Sequence, residues 1–254
     1  MLFMYITGVK LNNIYGFKNF RINFEEPSAG ELKCTKTDNV IILKGANATG
    51  KTTLGKALNI ILGSVMEANE GILQQLQTGE NPAEFEIKMT NAGQSHSLKS
   101  LVNGYDVKTI YQNAEVDSFR HLRTAIGTFD SMTTPVDKGY TDQFLANLRT
   151  ILPLIDPTIK NIQILTDLTN AIVINRHGKQ YIIQNGKLLN KGVLSSGTEQ
   201  GIDAAVFLTG MSKDGFYYCD DLLTNIGSEV RKHIIEMMME HIGNSGQLII
   251  TERV

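Results

Sequence analysis

The sequence predicts an α/β fold: a mixed sheet with helices on both faces, an N-terminal antiparallel β-layer and a small helical subdomain. Three observations predict it. A continuous β-branched run, "NVIILKG" (Asn39 to Gly45), has the composition of a strand buried on both faces, and a glycine-rich turn and an amphipathic stretch follow it at once. The opening "YITGVKLNNIYGFKNFRINF" (Tyr5 to Phe24) holds two apolar runs around Tyr15-Gly16-Phe17 and reads as a β-hairpin. Strand-like and helix-like stretches then alternate to the last strand, "QLIIT".

Each element follows from its local pattern. "PSAG" (Pro27 to Gly30) is a loop. From Thr52 to Val65, Leu54, Leu58, Ile61, Leu62 and Val65 recur at helical spacing. "EFEIKM", "HSLKSLV" and "VKTIYQN" are strand-like runs between Ala83 and Gln112. Ser118 to Gly127 and Asp142 to Leu152 are expected to be helical, giving a helical subdomain at about 118–152 within a single head over residues 1–254. "LPLIDP" (Leu152 to Pro157) is expected to break the chain, because each proline disfavours helix at the residue before it. "AIVINRHG" and "KQYIIQNG" are two strands around a His-Gly-Lys turn. A helix from about Thr198 to Leu208, the strand "GFYYC" and a helix near Ser228 to His241 complete the order. No internal repeat, low-complexity tract or sustained heptad interrupts it.

Composition narrows the class. The 254 residues are 42% hydrophobic and 20% charged, which suits a globular chain with a substantial core. A net charge of -2 gives no support for a broad nucleic-acid or membrane surface, and Lys and Arg are dispersed without a basic stripe, so DNA binding is possible but unsupported by charge. Two distant cysteines, Cys34 and Cys219, make neither a disulfide framework nor a metal spacing. No run approaches the ~18 apolar residues of a membrane span. The apolar N-terminus lacks a basic n-region and a small-residue cleavage site and is read as a strand. The expectation is a cytoplasmic protein.

"GANATGKTT" fits G-x-x-x-x-G-K-[ST] from Gly45 to Thr52, and the flanking strand and helix are the context that pattern needs. The backbone N–H groups of Gly45, Ala46, Asn47, Ala48, Thr49, Gly50 and the helix start, with Thr53 beyond, would surround phosphate oxygens, and the glycines let the backbone come close. Lys51 would contact the β- and γ-phosphates of ATP, and the Thr52 hydroxyl would bind Mg²⁺. "FYYCDD" (Phe216 to Asp221) is an apolar strand ending in two acids. In phosphate-loop hydrolases a carboxylate in this position holds Mg²⁺, which suits Asp220; Asp221 would orient or activate the attacking water. The nucleotide would lie at the C-terminal ends of the parallel strands.

These pieces resemble the ABC-type ATPase heads of the structural-maintenance-of-chromosomes (SMC) and DNA-break-repair group. They resemble more closely the small ABC ATPases of bacterial defence, the "overcoming lysogenization defect" (OLD-like) systems. The opening hairpin, the phosphate loop at its usual distance, "LSSGTEQGI" (Leu194 to Ile202) as signature motif, "YYCDDLLTNIGSEV" as acid strand and D-loop, and "QLIIT" carry the resemblance over nearly the whole chain. It implies a P-loop NTPase of ABC-ATPase type. It also implies that Ser195 and Gly197, with the helix behind them, cap a γ-phosphate held by the phosphate loop of a second copy. The partners implied are therefore ATP, a homodimer closed around two ATPs and a separate effector subunit. Ser195 or Ser196 as an ordinary helix cap is compatible with that role. Gln112, after a strand-like run, is the candidate Q-loop glutamine touching Mg²⁺ and water; a plain turn glutamine is the other reading.

The chain departs from the pattern at two places that bear on hydrolysis. Asp221 stands where the group usually has Glu, and a shorter carboxylate misplaced against its water can cost ~10²-fold in rate. The usual switch histidine is replaced by Glu252 or Arg253, depending on register; Arg253 could bind a phosphate and Glu252 would repel it. The segment Glu67 to Lys191 shows mixed strands and short helices without consecutive heptads, so no coiled-coil arm is expected. Three functions follow: a slowly hydrolysing, ATP-driven dimerising engine acting on an effector in a defence or DNA-maintenance complex; an ATP-binding switch with negligible hydrolysis; and a transporter ATPase subunit, which the Ser-Ser-Gly signature and the hairpin fit less well.

Overall fold

The computed structural model describes residues 5–26, 31–67, 69–91, 93–112, 123–127, 138–185, 187–189, 193–211, 215–220, 223–243 and 246–253. The chain divides into two compact units. The first comprises Met1–Gly127, Ser212–Asp221 and Ile242–Val254; the second comprises Thr128–Met211 and Leu222–His241.

The first unit begins with β1 (Tyr5–Asn12) and β2 (Phe20–Asn23), the expected hairpin, whose turn carries positive φ at Tyr15 and Gly16. β3 (Lys33–Thr37) and β4 (Val40–Gly45) follow, then α1 (Lys51–Met66), a short 3₁₀ helix (Glu70–Leu76), and β5 (Ala83–Asn91), β6 (Gln94–Asn103) and β7 (Asp106–Gln112). β2-β1-β5-β6-β7 form one antiparallel sheet, the predicted N-terminal layer. β8 (Arg123–Gly127) joins a second sheet. This corrects the helix expected over Ser118 to Gly127; residues 113–122 lie outside the described residues. "RTAIG" is too short for periodicity to separate helix from strand, and parallel pairing with Gly215–Cys219 decides the matter.

In the second unit, α2 (Lys138–Ile155) precedes β9 (Ile159–Leu165), β10 (Ala171–Arg176), β11 (Lys179–Gln184) and β12 (Lys187–Leu188), which pair as an antiparallel sheet in the order β12-β11-β10-β9. The helical part expected in the middle of the chain is therefore accompanied by a four-stranded sheet. His177 and Gly178, both at positive φ, make the two-residue β10–β11 turn, the conformation that matches strand twist. α2 does not break at Leu152. It runs through Pro153 to Ile155, because a proline in the last turn forfeits only one helical bond, and the Asp156 N–H still reaches Leu152 O at 2.9 Å. α3 (Ser196–Gly210) packs on α2, and Gly201 lets them approach: a Cβ there would lie 2.4 Å from Ile155 Cδ1 and 3.1 Å from Leu152 Cδ2.

β13 (Gly215–Cys219), α4 (Ser228–Ile242) and β14 (Gln247–Arg253) end the chain. The second sheet of the first unit has the order β3-β4-β14-β13-β8, parallel except for β3, so it is mixed as predicted. α1 buries apolar side chains in two directions. Leu54, Leu58, Ile61 and Leu62 share one core with Ile41, Leu43, Phe216, Tyr218 and Ile249 of the parallel strands, and with Val9, Leu11, Phe85, Ile87 and Leu98 of the antiparallel layer. Each such side chain contributes about 1.5–3 kcal/mol on burial. Gln247 ties the two sheets by polar means: its buried amide accepts from Ile6 N–H at 2.7 Å and donates to Ile6 O at 2.8 Å, where β1 bulges off its ladder with β5. The glycine-rich turn between β4 and α1 is thus anchored on a strand and a helix packed from both sides. Among the described residues no helix is long and apolar enough to cross a membrane.

Candidate functional site

The glycine-rich turn leaves the end of β4 and enters α1 through backbone that only special residues adopt easily. Ala48 has φ 65° and Gly50, the residue before the helix, φ 91°. A Cβ on Gly50 would stand 2.6 Å from Phe17 Cε1 and Cζ, so this glycine is required both by its φ and by the ring of the N-terminal hairpin lying on it. Gly45 is buried, Ala46, Asn47 and Ala48 are exposed, and Thr49 Oγ1 closes the turn on Ala46 O at 2.9 Å. No side chain caps the N-terminus of α1, which leaves its first N–H groups for a ligand.

Lys51 is 7% exposed and its Nζ donates to Gly45 O at 2.6 Å and Ala46 O at 2.9 Å, so the ammonium sits inside the turn. Its backbone oxygen accepts the Tyr218 hydroxyl at 2.5 Å, and the Tyr218 ring reaches it by passing Gly55, where a Cβ would lie 2.6 Å from Cε1. Thr52 Oγ1 donates to Asp220 Oδ2 at 2.5 Å, joining positions 168 apart in the chain. Thr251, fully buried near the end of β14, donates to Asp220 Oδ1 at 2.8 Å. The carboxylate therefore lies between two hydroxyls, one from the start of α1 and one from the neighbouring strand. Sequence reasoning missed Thr251; its signal is a lone hydroxyl directly after the apolar run Leu248, Ile249 and Ile250. Burial, then the Asp220 charge, push the Cys219 thiol well above its usual range, so Cys219 is a neutral core residue.

A cleft of about 490 Å³ opens beside the turn, lined by Tyr15, Phe17, Phe20 and Arg21 of the hairpin and by Ala48, Thr49 and Thr53. Phe17 and Phe20 stack with centroids 4.3 Å apart. The aromatic walls, the Arg21 guanidinium and the Glu31 carboxylate, which also lines the cleft, suit a planar, polar-edged group. A divalent ion at Thr52 and Asp220 would have oxygen donors only, as Mg²⁺ prefers. Among the described residues no group of three or more His, Cys, Asp or Glu could hold a metal, so such an ion would need ligand phosphate oxygens to complete its shell.

The other expected residues fall as follows. Asp221 lies outside the described residues. Gln112 ends β7, a strand and not a turn, and its Oε1 accepts from Ser97 Oγ at 3.0 Å. Ser195 is exposed and caps α3: its Oγ accepts from Thr198 N at 3.2 Å and meets Thr198 Oγ1 at 2.8 Å. Gly197 faces the loop after the acids, where a Cβ would stand 2.9 Å from Asn225 O. The register of β14 on β4 pairs Glu252 with Lys44, the two charges 3.1 Å apart, and pairs Arg253 with Gly45.

The architecture is that of α1 packed between a mixed sheet and an antiparallel sheet, with a second unit of helices and a four-stranded antiparallel sheet. Two solved structures share it: the SMC head bound to the C-winged helix domain of ScpA (TM-score 0.58, 14% identity, 97% of this chain and 89% of that one) and the SMC head domain from Thermotoga maritima (TM-score 0.55, 13% identity, 98% and 89%). The chain has the fold of SMC head domains. No protein-family model and no curated protein matches the sequence.

Proposed function

We propose that this chain is an ABC-type ATPase head over residues 1–254 that binds ATP with Mg²⁺, pairs with a second copy around the nucleotide and hydrolyses it slowly to act on an effector subunit. The observation that carries this reading is the Thr52–Asp220–Thr251 arrangement beside Lys51. A phosphate-loop hydroxyl and a strand-end carboxylate meet at hydrogen-bond distance next to a buried lysine, as phosphoryl-transfer sites require. Mg²⁺ held by Thr52 and Asp220 would neutralise charge on the β- and γ-phosphates. Lys51 would move from the carbonyls of Gly45 and Ala46 to phosphate oxygens, and the N–H groups from Ala46 to Thr53 would line the phosphates. The base would lie in the cleft beside the stacked Phe17 and Phe20 rings and Arg21.

Asp221 is the proposed acceptor of a proton from the attacking water. Gln112 could help only after releasing Ser97. Ser195 and the Gly197 N–H would act on the γ-phosphate of the partner copy, with Ser195 also serving as the cap it forms here. An SMC head of this fold bound to a winged-helix domain supports a protein partner for such a head. The OLD-like or defence setting rests on the motif resemblance alone.

The test is the mass of the purified chain without nucleotide, with ADP and with ATP–Mg²⁺, with phosphate release followed in the same samples. The expected result is an ATP-dependent dimer that Ser195→Arg abolishes, with a loss of only about 1 kcal/mol in stability from the lost cap. A mass unchanged by ATP refutes the paired-head reading. A dimer without phosphate release makes the chain a switch and not an engine.

A further inference from the structure

The loop after the acid pair is fastened to the signature helix by one side chain. Gln200 lies one turn into α3 and uses both ends of its amide on that loop: Nε2 donates to Thr224 Oγ1 at 3.2 Å, and Oε1 accepts from Asn225 N–H at 2.8 Å. The Asn225 carbonyl in turn presses on Gly197, where no Cβ could fit without a shift. The loop is held in a conformation it would not choose alone. Leu223 is fully buried with φ 63°, the left-handed region that a bulky side chain rarely occupies, and the turn closes with Ile226 N–H on Leu223 O at 3.2 Å. A strained turn of this kind persists only where its surroundings over-determine it. Here Gln200 supplies two of the fixing bonds.

We propose that Gln200 is a positioning residue that couples the signature turn to the loop at Thr224 and Asn225. A load on Ser195 to Gly197 is passed through the Gln200 amide to Thr224 and Asn225. The inference rests on the ATPase reading given above. It explains why a polar side chain with both a donor and an acceptor occupies this position, and it gives Gly197 a second role, as the floor on which the Asn225 carbonyl rests.

The test compares wild type with Gln200→Met, which keeps the volume and loses both bonds, and with Gln200→Glu, which can accept from Asn225 N–H and from the Thr224 hydroxyl. Three quantities are read: hydrogen exchange of peptides covering 223–227 without nucleotide, the ATP-dependent dimer mass, and kcat and KM for phosphate release. Gln200→Met is expected to raise exchange in 223–227 about fivefold or more, as the loss of one amide hydrogen bond does. It should lower kcat at least about tenfold, the size of effect that small positional errors have, with KM and the dimer unchanged. Gln200→Glu should restore both. Wild-type turnover that Gln200→Met leaves intact overturns the coupling alone, as does a Gln200→Glu variant no better than Gln200→Met. A wild-type chain with no turnover overturns the ATPase reading and the coupling with it, whereas exchange in 223–227 still reports whether Gln200 holds the loop.

Discussion

Thr251→Val isolates the hydroxyl that orients Asp220. Valine matches threonine in shape and in preference for strands, so the change removes one donor and little else. The donor is not incidental: Thr251 is fully buried, Asp220 is 8% exposed, and the bond is 2.8 Å. A hydrogen bond to a charged group contributes about 1.5–3 kcal/mol when its loss leaves the charge less well satisfied. In a chain of this size that lowers the melting midpoint by roughly 3–12 °C. The functional effect should be larger on metal than on fold. Losing a side chain that orients a metal ligand weakens metal affinity by about 10–100-fold, so the Mg²⁺ concentration needed for tight ATP binding should rise by that factor. ATP binding without Mg²⁺ should barely move. The assay is nucleotide titration at a series of Mg²⁺ concentrations, with a thermal melt on the same samples and Thr251→Ser as the variant that keeps the hydroxyl. A Thr251→Val protein with the wild-type midpoint and wild-type Mg²⁺ dependence refutes the orienting role. So does a Thr251→Ser protein as impaired as Thr251→Val, because the methyl group would then be what matters.

Three further outcomes are expected. Gly50→Ala should weaken nucleotide binding and cost about 1–2 kcal/mol of stability from its left-handed φ alone; adding Phe17→Leu should recover the part due to the 2.6 Å approach of the ring, and a double-mutant cycle in thermal melts with no coupling would contradict that contact. The Thr158 hydroxyl first, then the Thr158 N–H and the Arg176 guanidinium, hold the Asp156 carboxyl below the usual carboxylate range despite its partial burial. Because the folded pKa is depressed, this stabilisation is complete above the ordinary carboxylate pKa and is lost as pH falls through the folded value. The stability advantage of wild type over Asp156→Asn should therefore be constant at neutral pH and shrink as pH falls past the ordinary carboxylate pKa in urea titrations. Arg253→Ala should weaken ATP about tenfold more than ADP in equilibrium binding, as expected of a charge-assisted contact to the γ-phosphate, while Glu252→Gln, which breaks a part-exposed pair with Lys44, should change little.

Much of the fold was legible because its strongest elements carry local signals. β4 and β13 are uninterrupted apolar runs, α1 repeats Leu54, Leu58, Ile61 and Leu62 on a helical period, and the hairpin turn at Tyr15-Gly16 announces itself by its glycine. What was missed has no such signal. β3, "KCTKT", buries only Cys34 and is a charged strand at the sheet edge, where polar residues prevent further pairing. β8 is five residues long and becomes a strand only by pairing with β13. β9 alternates poorly, with Ile159 and Ile162 inward and Ile164 41% exposed, so neither a strand nor a helix period stands out. Pro153 misled for the opposite reason: its local rule is sound, but a helix in its final turn has little left to lose.

The site divides along the same line. Gly45, Gly50, Lys51 and Thr52 follow from spacing, because a turn that must wrap a phosphate constrains the residues in sequence. Thr251 and Gln200 do not, because each acts on a partner distant in sequence: Thr251 on a carboxylate one strand away, Gln200 on a loop 24 and 25 positions later. Register explains why the switch position stayed ambiguous as well. Whether Glu252 or Arg253 meets the phosphate side depends on which residue of β14 stands opposite Gly45, and no local pattern reports that. The register pairs Thr251 with Leu43 and Arg253 with Gly45. Residues two apart on a strand share a face, so Arg253 lies on the side where Thr251 holds Asp220, and Glu252 lies on the other with Lys44. On the ATPase reading, the acid that would repel a γ-phosphate is turned away and paired with Lys44, and Arg253 is the residue expected to meet the phosphate.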